Sequence, residues 1–143
     1  GTGDIQLTLA QKIPVAGAVI VTTPQDIATL DARKALKMFE KVEVPVLGIV
    51  ENMAVHTCSN CGHIEHLFGE GGGQRMAAQY GVPLLGSLPL DIAIREHGDS
   101  GQPVVVAAPD SAVAQAYRHT ARMMVAHLAM RPRAAMPIAS SLV

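Results

Sequence analysis

The sequence has few aromatic residues and no strong excess of either charge. Among its 143 residues it contains no Trp, two Tyr and two Phe, and its formal net charge is -1. Proteins that bind single-stranded nucleic acid stack bases on aromatic side chains within a basic groove, so this composition argues against a nucleic-acid ligand. The same charge balance gives no reason to expect an anionic membrane surface as a partner.

Long hydrophobic runs and a disulfide framework are also missing. No apolar run reaches the roughly 18 residues of a membrane-spanning helix, and the longest, residues 15–21, has the length of a strand. The first residues carry no signal-peptide pattern. The sequence has two cysteines, close together, which favours a reducing compartment, and we expect a cytoplasmic protein.

The composition is that of a globular protein, with 49% hydrophobic and 16% charged residues. Three apolar segments have the character of strands buried on both faces: residues 15–21, 44–50 and 84–88. Helical patterns alternate with them, at residues 23–42, 74–80, 91–97 and 110–129. We expect Thr23 to cap the first helix and Pro24 to lie in its first turn. The alternation predicts an α/β fold with a parallel sheet flanked by helices.

Three further segments complete the sequence-based expectations. The glycine-rich residues 69–73 predict a flexible turn, and residues 103–107 predict a short extended segment. We expect residues 1–129 to form one folded unit and residues 130–143 to form a disordered tail. Gly1 to Asp4 resemble the interior of a loop and no Met precedes them, so we expect a piece of a longer chain.

The strongest chemical signal is the C-x-x-C pair of Cys58 and Cys61. Two thiolates at this spacing supply half of a four-coordinate metal site. A second copy of the chain could add two more thiolates across a two-fold axis. Alternatively, His63 and His66 could complete a local Cys₂His₂ zinc site, or the two thiols could act as a redox switch without metal.

Candidate nucleotide-binding residues follow the ends of the predicted strands, where ligands of parallel sheets bind. Asn52 can both donate to and accept from an adenine. Pro89 and Asp91 could form the opposite wall, although the spacing favours Asp91 as a helix N-cap. The sequence has no G-x-x-x-x-G-K-[ST] phosphate loop, and residues 69–73 lack the lysine and hydroxyl residue of such a loop.

Several of these motifs together resemble the Mrp/ApbC family, in order and in spacing, over roughly residues 1–128. The matching segments are Gly1–Leu7, Thr22–Gln25, Gly48–Met53, the Cys58/Cys61 pair, Phe68–Gly69 with Gly71–Gly73, Leu85–Leu90, Arg95–Glu96, Gly98–Asp99 and Gly101–Pro103. Members of that family are deviant P-loop ATPases related to the nitrogenase iron protein and to MinD and ParA.

The resemblance implies a function, cofactors and partners. Family members are homodimers that hold a labile [4Fe–4S] cluster between their C-x-x-C motifs and pass it to apo iron–sulfur proteins, using ATP and Mg²⁺. It implies that Cys58 and Cys61 are cluster ligands and that Asn52, Pro89 and Asp91 contact the adenine. Asp4 falls in the nucleotide-responsive segment.

The resemblance also indicates what this chain lacks. The chain corresponds to a partial P-loop NTPase (Rossmann-like) fold without its N-terminal P-loop half. We therefore expect no ATP hydrolysis by this chain alone. The other half should supply strands beside residues 15–21. We therefore expect an exposed apolar sheet edge and a tendency to aggregate.

Overall fold

The computed structural model describes residues 4–131. Its helices are α1 (Asp4–Lys12), α2 (Asp26–Lys41), α3 (Gly72–Tyr80), α4 (Ile92–Asp99), α5 (Val104–Ala107) and α6 (Ala112–Ala129). Its strands are β1 (Ala18–Thr22), β2 (Val46–Glu51), β3 (His56–Thr57), β4 (Ile64–Glu65) and β5 (Leu84–Ser87). No helix within this range has the length and apolar character needed to cross a bilayer.

Three strands form a parallel sheet in the order β1–β2–β5. The central strand β2 is buried from Leu47 to Glu51, as expected for a strand covered on both faces. β3 and β4 pair separately as a short antiparallel hairpin. The predicted α/β fold is confirmed, and each of the three predicted strands is present with shorter or shifted ends.

Helices cover both faces of this sheet. On one face α2 and α3 pack on Ile20 and Ile49, and the buried Leu36 and Met76 are at the centre of that core. On the other face α6 packs through Tyr117, Met123 and Met124 on Val50, Leu85 and Leu88. Burying apolar area on both faces stabilises the sheet, at about 25 cal/mol per Å² removed from water.

The start of α2 differs from the prediction. The helix begins at Asp26, and Gln25 occupies the N-cap position with extended backbone and no side-chain cap bond. Thr23 is therefore not the cap, and Pro24 lies before the helix, fully buried. The Pro24 carbonyl lies against Gly72 at the start of α3.

Two other segments were predicted incorrectly. Residues 69–73 do not form a flexible turn throughout, because Gly72 and Gly73 are buried in the first turn of α3. Residues 104–107 are helical although valine favours strands. No strand of the described chain pairs with them, while the Arg118 guanidinium donates to the Val105 and Pro109 carbonyls.

The start of the described chain is helical, and the predicted disordered tail lies mostly outside the described residues. Helix α1 was not predicted, and none of its residues is buried. The loop predicted at residues 1–4 is helical from Asp4 onwards, and residues 1–3 lie outside the described range. The predicted disordered tail lies almost wholly outside it as well, since only residues 130 and 131 are described.

Candidate functional site: a two-thiol hairpin beside the sheet ends

Cys58 and Cys61 lie in the turn that joins β3 to β4. The turn is closed by the Cys58 amide, which donates to the His63 carbonyl at 2.9 Å, and by the Gly62 amide, which donates to the Cys58 carbonyl at 2.8 Å. Gly62 adopts φ 72°, a left-handed conformation that glycine adopts without a steric penalty. The turn therefore places both thiols on one short and largely exposed segment.

Both thiols are free, with Cys61 exposed and Cys58 half-buried. Backbone amides of the turn favour the thiolate of Cys58. The Asn60 amide contributes most to lowering the pKa of Cys58, followed by the Cys61 amide and the Cys61 thiol, against the opposing effects of desolvation and the Glu65 charge. Because the thiolate is the form that binds metals, this turn is suited to metal ligation.

The neighbouring histidines do not complete a metal site. His66 Nδ1 lies 3.2 Å from the Ala54 carbonyl oxygen, and His56 Nδ1 lies 3.2 Å from the Leu90 carbonyl oxygen. His63 is exposed. Among residues 4–131 no group of three or more His, Cys, Asp or Glu side chains is placed to hold a metal ion. The hairpin thus presents two thiols, and the local Cys₂His₂ arrangement is not formed.

Asn52 follows β2 directly, and two hydrogen bonds fix its backbone and its side chain. Its amide N–H donates to the Thr22 carbonyl at 2.7 Å, and its Oδ1 accepts from the Met53 amide at 3.0 Å. It lines an open groove of about 500 Å³ together with Gln6, β1 and one side of α2. The groove is large enough for a small organic group.

The other candidate nucleotide residues do not line this groove. Asp91 caps α4, its Oδ1 accepting from the Ala93 amide at 2.8 Å, as the spacing indicated. Pro89 is half-buried beside it, and Asp4 is exposed at the first position of α1. Pro89 and Asp91 do follow the strand adjacent to β2, so they lie at the same edge of the sheet as Asn52. Their role in nucleotide binding stays a prediction, as does that of Asp4.

Sequence reasoning missed Glu51, which is 5% exposed at the end of β2. Its Oε2 accepts from the Gly73 amide at 2.5 Å, where the positive end of the α3 dipole favours a carboxylate. A Cβ on Gly73 would lie 2.9 Å from the Glu51 Cβ. The available signal was an acidic residue ending an apolar strand before a run of glycines. The α3 N-terminus is thus already bonded to a protein carboxylate.

The family comparisons match most of the chain. The profile of the family described as "ParA: NUBPL iron-transfer P-loop NTPase" matches residues 1–125. The iron-sulfur cluster carrier protein of Pseudomonas fragi is 68% identical over 121 residues, which is 85% of this chain and 42% of that protein. The protein of the same name from Escherichia coli K12 is 61% identical over 128 residues, which is 90% of this chain and 35% of that protein.

A solved structure agrees with the fold. The nucleotide-binding protein of Archaeoglobus fulgidus in complex with ADP superposes with a TM-score of 0.63 at 42% identity, covering 71% of this chain and 42% of that one. The chain therefore spans about two fifths of the length of the curated relatives that it matches. Over the part that it spans, the chain belongs to the ParA/NUBPL iron-transfer family of P-loop NTPases.

Proposed function

We propose that this chain is the cluster-bearing part of an iron–sulfur cluster carrier. In this proposal two chains each contribute Cys58 and Cys61 to one [4Fe–4S] cluster, which is the cargo and is passed on to apo iron–sulfur proteins. The observation that carries the proposal is the exposed turn with two thiols and no third ligand among the described residues. Such a half-site becomes four-coordinate when a second chain supplies the same pair.

The position of the thiols suits transfer rather than permanent storage. Cys61 and its neighbours in the turn are exposed, so an incoming thiolate can approach the cluster. Transfer then proceeds by ligand exchange, in which each thiolate of the recipient replaces one thiolate of the carrier. A deeply buried site would protect the cluster better but would hinder this exchange.

The proposal assigns nucleotide binding to the whole protein. Asn52 would hydrogen-bond the adenine, with Pro89 and Asp91 as a second wall and Asp4 in the responsive segment. Mg²⁺ and the phosphates need the lysine-bearing loop that this sequence does not contain. ATP binding to the whole protein would favour one dimer geometry, and this would shift the balance between holding the cluster and releasing it. We place this carrier in the cytoplasm, with no nucleic-acid or membrane partner.

This assignment predicts no Mg²⁺-dependent ATP turnover by the purified chain alone. The physical reason is that this sequence contains no P-loop motif to bind the transferred phosphate. Phosphate release should equal that of a sample without protein. Turnover that depends on Mg²⁺ and persists through further purification would contradict the expectation.

Anaerobic reconstitution with iron and sulfide tests the carrier function. The chain should take up one cluster for every two chains, gain sulfur-to-iron charge-transfer absorbance and become dimeric as the cluster is bound. Cys58→Ser and Cys61→Ser should each abolish stable uptake, whereas Ser59→Ala, in the same turn, should not. If the double cysteine variant still carries a cluster, these ligands are assigned wrongly.

The same samples separate the two alternatives. A zinc module predicts one zinc per monomer that is lost in His63→Ala or His66→Ala. A thiol switch predicts no metal and a reversible disulfide between Cys58 and Cys61. Either result, obtained in place of cluster uptake, would replace the carrier function.

A further inference from the structure

The hairpin that carries the cysteines has little backbone pairing of its own. β3 and β4 contain two residues each, paired as His56 with Glu65 and Thr57 with Ile64. A two-stranded hairpin of this size is marginal by itself in water. The orientation of the thiol turn must therefore depend on bonds between the hairpin and the rest of the molecule.

Two histidines make such bonds, one from each side of the hairpin. His56, the first residue of β3, reaches the carbonyl of Leu90, 34 residues along the chain. His66, which follows β4, reaches the carbonyl of Ala54, 12 residues back. A carbonyl oxygen only accepts, so each ring carries a proton on Nδ1 and donates it.

The two acceptor carbonyls lie in the segments that follow β2 and β5. Ala54 comes two residues after Asn52, and its amide donates to the Leu88 carbonyl at 2.9 Å. Leu90 follows β5, and its amide donates to the Val55 carbonyl at 2.8 Å. These bonds join the segments that follow β2 and β5, and the two histidines attach the cysteine hairpin to that joint.

We propose that His56 and His66 are positioning residues that fix the cysteine hairpin on the carboxyl ends of β2 and β5. They hold both thiols in the orientation in which a second chain can complete the site, and neither imidazole is a cluster ligand. The significance for cluster handling rests on the carrier function proposed above, whereas the attachment itself is a property of the metal-free chain.

Hydrogen exchange of the metal-free chain tests the attachment directly. The variants are His56→Ala and His66→Ala, with His63→Ala as the matched control, since His63 is an exposed histidine of the same hairpin. Exchange of the Cys58 and Gly62 amides should accelerate roughly fivefold in each of the first two variants, because one ordinary hydrogen bond shifts a local opening equilibrium by about that factor. Amides of β2 should keep their protection, and the control should match the parent chain.

His56→Asn and His66→Asn supply the conservative test, because an asparagine amide can donate to the same carbonyl. These variants should restore slow exchange. Unchanged exchange in both alanine variants, or equal acceleration in His63→Ala, would overturn the proposal. Failure of both asparagine variants to restore protection would overturn it as well.

The cluster provides a second readout. After reconstitution, His56→Ala and His66→Ala should lose the cluster to an iron chelator about fivefold faster than the parent chain, while the charge-transfer spectrum stays the same. A changed spectrum in His66→Ala would identify that imidazole as a ligand and overturn the proposal. If no variant and no parent chain takes up a cluster, the carrier function fails, and the exchange experiment still decides whether the histidines fix the hairpin.

Discussion

At the level of the single residue, Asp91 caps the N-terminus of α4. Its Oδ1 accepts from the Ala93 amide, and loss of such a cap costs about 0.5–2 kcal/mol. Asp91→Ala should therefore lower the free energy of unfolding by about 1 kcal/mol in urea, whether or not a nucleotide is present.

Asp91→Asn is the matched variant, because asparagine caps helices about as well as aspartate. It should retain the stability of the parent chain. If the asparagine variant were as unstable as the alanine variant, the negative charge rather than the cap would be the important property.

The roles of individual residues were predictable where the interacting residues are close together in the sequence. The spacing of Cys58 and Cys61 was sufficient to indicate a shared turn, and the context of Asp91 indicated a cap. The bonds that His56 and His66 make were not predictable, because their partners are carbonyls 34 and 12 residues away. Proximity to cysteines made His66 resemble a metal ligand, while its ring bonds the backbone.

At the level of elements, the start of α3 is tightly constrained by its contact with the segment before α2. A Cβ on Gly72 would lie 2.0 Å from the Pro24 carbonyl oxygen, which is backbone and cannot rotate away. Gly72→Ala should therefore displace α3 from the ends of β1 and β2 and destabilise the fold by about 1–3 kcal/mol or more, as overpacking does.

Gly98→Ala is the control for this prediction. Gly98 lies inside α4, and nothing is within 4 Å of a Cβ at that position, so the substitution should be neutral or stabilising by up to about 1 kcal/mol. Thermal unfolding of both variants would check the pair. Equal melting temperatures would mean that α3 can shift without cost.

The strands of the main sheet were predictable from their apolar runs. Segments in which tertiary packing overrides the intrinsic preference of the residues were not. Apolar runs located all three strands of the main sheet, since a buried parallel strand needs apolar residues on both faces. The valines of α5 favoured an extended segment by intrinsic preference, but the segment is helical and the Arg118 guanidinium donates to its Val105 carbonyl. Glycines 72 and 73 suggested flexibility, whereas contact with Pro24 and Glu51 fixes them.

At the level of the whole molecule, β1 is an edge of the three-stranded sheet that the described residues form. Val21 in this strand is 61% exposed. Exposed strand edges with apolar side chains pair with other chains, and a lysine there opposes such pairing. Val21→Lys should therefore reduce light scattering by concentrated solutions of the chain.

Val106→Lys is the matched control, because Val106 is 69% exposed but belongs to helix α5 rather than to a strand. It removes a similar apolar surface without altering the sheet edge, so scattering should change little. Equal reductions by both variants would indicate general apolar association instead of edge pairing.

The cysteine hairpin lies within the connection that takes the chain from β2 to β5. Parallel neighbours require a long connection of this kind, and the entropy of closing it grows only slowly with its length. A lineage can therefore lengthen, replace or delete this excursion while the three strands keep their partners and their order. The two-thiol turn is thus separable from the sheet in evolution, because it is confined to one connection between two strands.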